Sequence, residues 1–272
     1  MDTNQIQSTI TLINENLVSN DMLQDIVLDT MLENIGNTNS ELRDDTIYSA
    51  WGQLLSNGRV NHKQKMKMLR HIIDNKTLFI GIDQPFEDTT FERAFSSLLL
   101  VQLLNDHYKE KWIPAYTESH LVDVTLNYMM QEKDNRGFVE EFGWAHAFAH
   151  GADLMGAIAK SPLFSRRDYQ RFLESIKHAL IDVENFHYGE EGRLAEALVQ
   201  FIKSQNPSEE EISNWITRVS DELLIHGVYN VCWKNFLMSF YFSLNVNEIL
   251  VPKISNTIEG ILKRYYQEFR VF

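Results

Sequence analysis

Cysteine occurs once, at Cys232. No intramolecular disulfide can form, so a reducing compartment is expected. Proline and glycine are scarce, 5 and 12 in 272 residues, which is too few for a turn-rich β protein. The longest apolar runs, such as Leu98 to Leu104, fall far short of the ~20 residues of a membrane-spanning helix. Residues Met1 to Ser8 carry neither the basic start nor the apolar stretch of a secretion signal, so the cytoplasm is the expected location. Basic residues are the minority, 25 Lys and Arg against 38 Asp and Glu, for a net charge of −13. A field of that sign repels phosphate backbones and anionic lipid, which sets aside nucleic acid and membrane surfaces as expected partners. Metals, small molecules and protein partners remain.

What is present is ordinary globular material, 44% hydrophobic and 23% charged, in a chain long enough to bury a large core. Apolar residues recur at three- and four-residue steps, as in Ile6, Ile10, Ile13 and Leu17, and this is the helical period. The spacing predicts helices over 4–18, 20–34, 40–56, 61–74, 89–107, 117–131, 142–160, 165–183, 190–204, 208–226, 230–246 and 253–270. The best strand candidate, Leu78 to Ile82, reads as a helix end or connector. No linker rich in Gly, Ser or Pro divides the chain, so one all-helical domain over 1–272 is expected, with 1–40 as a helical subregion.

Four of the prolines, Pro114, Pro162, Pro207 and Pro252, stand 48, 45 and 45 residues apart. Each falls between helical patterns, where a missing N–H does least harm, and each interval holds two helices. A helix pair every ~40–47 residues is the period of HEAT-type arrays. The segment Asp44, Thr46, Ile47, Ala50, Trp51, Leu54, Leu55 is echoed by Asp88, Thr90, Phe91, Ala94, Phe95, Leu98, Leu99, 44 positions later. The expected architecture is an all-α solenoid or superhelical array of antiparallel, HEAT-like pairs. The alternative is an α/α toroid with a central pocket.

One segment concentrates chemistry: Asp134-Asn135-Arg136-Gly137, then Glu140-Glu141-Phe142-Gly143-Trp144-Ala145-His146-Ala147-Phe148-Ala149-His150-Gly151-Ala152-Asp153. On a helix starting at 142, His146, His150 and Asp153 share one face within about 60° of rotation. Two imidazoles one turn apart can ligate one divalent ion, zinc for example, with Asp153 as third ligand or orienting group. The pattern is not the zincin motif, because Ala147 stands where its glutamate would be. Glu141 is therefore the expected base for a metal-assisted hydrolysis, and Trp144 a wall of the pocket. Asp134 and Arg136 lie in the loop expected to close it. A second cluster, Glu184, His187, Glu190, Glu191 and Arg193, can bring Glu191 or His187 as a third or fourth ligand and Arg193 as a partner for Asp153. The structural alternative has both histidines buried and hydrogen-bonded to Asp153, Glu191 or a loop carbonyl. Gly151 costs a helix roughly 0.8–1 kcal/mol against Ala, so a close approach by a neighbour is expected there.

Asp134, Arg136-Gly137, Gly143-Trp144-Ala145-His146-Ala147, Ala149-His150, Asp153, Glu191 and Arg193-Leu194-Ala195 together resemble a bacterial family, domain of unknown function 2785. The upstream Phe91-Glu92-Arg93-Ala94-Phe95-Ser96 segment fits it as well. The resemblance implies coverage from about Asp44 onward and brings no activity with it. Two functions follow from the residues themselves. One is a pocket on His146, His150 and Asp153 for a divalent metal or small polar ligand. The other is a non-enzymatic helical scaffold for a peptide or protein partner. Histidines satisfied by the protein would favour the scaffold, and histidines left without protein partners in a cleft would favour the pocket.

Overall fold

A computed structural model of the protein describes residues 1–183, 186–225 and 230–268. Among the described residues there are twelve α-helices: α1 (Thr3–Ser19), α2 (Asp25–Glu33), α3 (Ser49–Ser56), α4 (His62–Asp74), α5 (Thr89–Lys109), α6 (Ala115–Gln131), α7 (Ala147–Ile158), α8 (Arg166–Lys177), α9 (Glu190–Gln205), α10 (Glu209–Ile225), α11 (Val231–Val246) and α12 (Pro252–Glu268). A π-helical segment, Glu41–Tyr48, leads into α3, and another, His178–Asp182, prolongs α8. The only sheet among these residues is a hairpin of β1 (Phe138–Val139) and β2 (Gly143–Trp144), with Phe138 opposite Trp144 and Val139 opposite Gly143.

The protein is all-α, and each helix expected from periodicity has a counterpart. Residue 226, at the end of the expected 208–226 helix, and residues 269–270, at the end of 253–270, lie outside the described residues. Leu78 to Ile82 forms a 3₁₀ turn, Thr77–Phe79, and further turns, as a connector should. Local chemistry sets several boundaries. Asp2 with Gln5 and Asn61 with Gln64 form capping boxes at α1 and α4, each worth about 1 kcal/mol. Pro252 opens α12, where its missing N–H has no helical partner to lose.

Helices α3, α5, α7, α9 and α11 pack each on the next. α6 packs on α7 and α8, and α10 on α12. Polar side chains cross between helices at a repeating separation. Lys177 reaches Glu222 at 2.7 Å, Arg218 reaches Glu174 at 2.8 Å, and Arg264 reaches Asp221 at 2.8 Å, over 45, 44 and 43 residues. Lys203 to Asn247 and Asn235 to Glu191 each span 44. Such exposed contacts add little stability, but they record which turns face each other. One apolar cluster runs from Ile10 to Ile261. It takes in Met68, Trp233, Phe236 and Phe240, all buried. Gly151 sits where α7 crosses α6: a Cβ there would lie 2.3 Å from Met129 Sδ and 3.1 Å from Tyr128 Cε1. The close approach offsets the helix cost of the glycine.

Candidate functional site

The helix expected from 142 begins at Ala147 instead. Residues up to 146 belong to the hairpin. The Ala145 N–H donates to the Gly137 carbonyl at 2.8 Å, and the His146 N–H to the Arg136 carbonyl at 3.1 Å. Gly143 takes φ +80°, and a Cβ there would stand 2.7 Å from Ser40 Cβ and 3.1 Å from Asp44 Oδ2. The run of alanines after Gly143 favours helix by propensity, but pairing with residues 136–139 satisfies the backbone first. His146 is left as the N-cap of α7 in the left-handed region, φ 43°, ψ 36°, with no side-chain cap. The three residues therefore do not share one helical face. The His150 N–H still donates to the His146 carbonyl at 2.9 Å, and the two imidazole centroids are 5.6 Å apart.

Arg43 holds the hairpin in place. Its guanidinium is fully buried, stacks over Phe91 at 4.3 Å and Phe95 at 4.8 Å, and pairs with Asp44 at 2.7 Å. Nη1 donates to the Asn37 carbonyl at 2.6 Å and Nη2 to the Phe142 carbonyl at 2.7 Å. The π-helical segment 41–48 presents Arg43 and its neighbour Asp44 together; such segments recur at functional sites.

Above this anchor lies a cleft of about 360 Å³. The hairpin and the α7 cap contribute Trp144 and His146, α7 His150 and Asp153, segment 41–48 Asp44 and Tyr48, α5 Phe95 and Leu98, and α9 Arg193. Trp144 stacks on His146 at 4.3 Å and meets Tyr188 edge-on at 5.5 Å and Phe138 at 5.2 Å. Neither ring nitrogen of His150 has a hydrogen-bond partner, nor has Nε2 of His146. Glu190 Oε1 stands 3.4 Å from that Nε2 without hydrogen-bond alignment. Burial lowers the His150 pKa to about 3, helped by His146, Arg193 and Arg43. Burial and Arg193 lower that of His146 to about 4. Both imidazoles are neutral at pH 7, each with one donor and one acceptor nitrogen. Burial raises the carboxyls of Asp44, Asp153 and Glu190, against the pull of Arg43 on the first and Arg193 on the second.

The expected site residues divide. Trp144, His146, His150, Asp153 and Arg193 come together, and Arg193 Nη1 donates to both Asp153 oxygens at 3.1 and 3.3 Å. Glu191 is buried elsewhere and accepts from Asn235 at 3.2 Å, so Glu190 is the carboxylate beside His146. Glu141 is exposed at the hairpin turn with φ 69° and does not line the cleft. Asp134 and Arg136 form a separate closed network: Asp134 accepts from Phe86 N at 2.9 Å, Thr90 Oγ1 at 2.6 Å and Arg136 Nη2 at 2.7 Å. His187 is exposed, and Glu184 lies outside the described residues. Among the described residues no three His, Cys, Asp or Glu side chains are grouped as a metal would require.

Asp44, Tyr48, Phe95, Leu98 and Glu190 complete the site; of these the sequence singled out only Glu190, as a member of the second cluster and without a role. Asp44 and Phe95 belong to the internal repeat, a signal of architecture that also marked cleft residues.

The family model described as Protein of unknown function (DUF2785) matches residues 78–242, well over half of the chain. The chain belongs to the DUF2785 family. No curated protein and no solved structure matches it. The match begins later than Asp44 and stops before α12. The DUF2785 segment thus carries Trp144, His146, His150, Asp153 and Arg193, whereas Arg43, Asp44 and Tyr48 are supplied from outside it. No helix among the described residues is long and apolar enough to cross a membrane.

Proposed function

We propose that the protein binds a small polar molecule in the cleft between Trp144, His146, His150 and Asp44, directly and without a metal. The observation that carries this reading is His150. Its imidazole forms part of the cleft wall with both ring nitrogens buried and unpaired. An unmet buried polar group costs about 1–3 kcal/mol, and native structures rarely leave one without a reason. A ligand offering both a donor and an acceptor removes that cost, and Trp144 provides an apolar surface beside it. The donor set fits a metal less well, because Arg193 occupies Asp153 and Arg43 occupies Asp44.

The recurring separations of 43–45 residues between facing side chains support a repeating array of helix pairs, as the HEAT-like reading requires. Each interval joins a helix to its counterpart in the next pair. The single, buried cysteine agrees with a cytoplasmic protein.

A catalytic role has one observation in its favour, the Glu190–His146 approach. The two atoms stand 3.4 Å apart without a hydrogen bond, and a small rotation would let Glu190 orient the imidazole, a role for which it is better placed than Glu141.

The test is a fragment screen read by imidazole ¹⁵N resonances, wild type beside His150→Leu, with elemental analysis of both after incubation with zinc, manganese and iron salts. Fragments that shift the His146 and His150 signals in the wild type, with no retained metal, support the reading. Stoichiometric metal lost in a folded His146→Ala/His150→Ala variant replaces it with the metal site. Silent imidazoles throughout leave the histidines a structural role and refute the proposal.

A further inference from the structure

Four aromatic side chains at the cleft are neither core nor free surface. Phe138 and Tyr188 flank Trp144 at 5.2 and 5.5 Å between ring centroids, and the three are 48, 50 and 39% exposed. Tyr48 lines the cleft from the π-helical segment and is 38% exposed. Rings this open to water are nevertheless fixed. A Cβ on Gly137 would fall 2.1 Å from Tyr188 Cδ2, so the tyrosine ring lies against bare hairpin backbone. Trp144 is stacked on His146 at 4.3 Å. Rings held in advance spare a ligand the cost of ordering them. Exposed apolar groups gathered beside a cleft mark a binding surface, and aromatic rings favour flat partners in offset-stacked or edge-on contact.

The polar lining narrows the class. Both carboxylates of the cleft are paired within the protein, Asp44 with Arg43 at 2.7 Å and Asp153 with Arg193 at 3.1 Å, so no lone charge selects an ion. The net charge of −13 opposes a phosphate. The groups left unpaired are Nε2 of His146 and both ring nitrogens of His150. A neutral imidazole has one donor and one acceptor nitrogen, and its complement is a partner that carries both. The edge of a cyclic amide or amidine does so, with N–H beside C=O or beside a ring nitrogen, in the plane of a ring that can stack. The cleft, about 360 Å³, is at the small end of ligand sites. We infer that it takes a flat, uncharged nitrogen heterocycle, a nucleobase or its nucleoside, with the polar edge on His146 and His150 and the ring against Trp144 and Tyr48. The inference rests on the cleft being a ligand site and names the class of ligand.

The test uses the full chain and a matched pair of probes, 2-pyridone and 2-piperidone. They share one amide edge, and only the first is flat and aromatic. Affinities are read by titrating the imidazole ¹⁵N resonances. The wild type should bind 2-pyridone about tenfold or more tightly than 2-piperidone, because stacking one base on an aromatic side chain supplies about that factor. In Trp144→Leu the two probes should come within about threefold of each other while 2-piperidone keeps its affinity, with thermal unfolding reporting the fold. Tyr48→Leu makes the same measurement on the other wall if the first variant does not fold. Adenine, adenosine and adenosine 5′-monophosphate separate the sources: the tighter of the first two assigns base or nucleoside, and the monophosphate should be weaker than adenosine by about tenfold. Equal affinity for the two lactams in the wild type overturns the inference, as does a 2-pyridone preference that survives in the folded variant or a monophosphate that binds as tightly as adenosine. Imidazole signals that move only with saturated fragments also overturn it, and leave the cleft a ligand site of another class. Imidazoles silent to every fragment are a different result and remove the underlying reading of the cleft.

Discussion

The hairpin at 138–144 separates two buried polar clusters that handle charge in opposite ways. On one side, Arg93 and Glu132 are both fully buried and bonded at 2.6 and 2.9 Å, and Glu132 also accepts the Lys133 and Asp134 N–H groups at 2.9 Å. Burial raises the Asp134 carboxyl, and bonds from Arg136 and Thr90 outweigh it, leaving its pKa below the ordinary value. On the other side, His146 and His150 are half-buried, with His146 Nε2 and both His150 ring nitrogens buried and unpaired, and Asp44 and Asp153 have pKa values pushed up by burial. A closed network leaves nothing for a ligand to add. An open one, beside a cleft, leaves polar groups without protein partners, and these are the groups that the proposed ligand would meet. Both clusters draw on one short stretch, Glu132 to Asp153, so proximity in sequence does not tell a clamp from a site.

Substitutions should separate the two clusters by sign. Arg93→Ala strands Glu132 and should cost about 3–5 kcal/mol, read as a lower urea midpoint. If it costs less than 1 kcal/mol, the closed cluster is not what holds the loop. Gly143→Ala strains the backbone at positive φ and crowds Asp44 and Arg43, for a loss of about 1–3 kcal/mol. Its ligand binding should weaken as well, because β2 carries Trp144. His150→Leu should do the reverse of Arg93→Ala. Removing an unpaired polar group should leave stability unchanged or raise it by about 1 kcal/mol, while fragment binding disappears. A clear destabilisation by His150→Leu would mean that His150 has partners after all.

The pH response is a finer comparison. The folded pKa values of His146 and His150, about 4 and about 3, lie below the unfolded value near 6.5. Between those limits the unfolded chain binds more protons, so stability falls as pH drops from about 6.5 toward 3. Asp134 adds to the loss at the acid end, because its carboxyl is depressed when folded. Asp44, Asp153 and Glu190, raised when folded, oppose it. Urea titrations at pH 7 and pH 5 should show a smaller drop in His150→Leu than in the wild type, and equal drops would remove His150 from the account. The smallest effect belongs to the surface. Arg264→Ala breaks an exposed pair with Asp221 and should change stability by less than about 0.5 kcal/mol.

Much of the fold was legible. The helical period placed twelve helices because each one buries a stripe, and the stripe is written in the chain. The Asp153–Arg193 pair could be anticipated because α7 and α9 are neighbouring amphipathic helices that pack on each other. The start of α7 could not. Ala145 and Ala147 read as helix in isolation, and only pairing with residues 136–139 turned His146 out of it. Glu190 and Glu191 are adjacent and chemically alike, and the phase of α9 against α7 decides which one meets His146.

The sequence by itself determined the helical class, the segment lengths and the concentration of histidine, carboxylate and aromatic groups between 134 and 193, because these depend on local pattern and composition. Tertiary structure alone decided which of those groups are paired and which are left open. Hydrogen-bond satisfaction depends on distances of a few tenths of an ångström between elements far apart in the chain, and Arg43, roughly a hundred residues from Phe142, sets those distances at the hairpin.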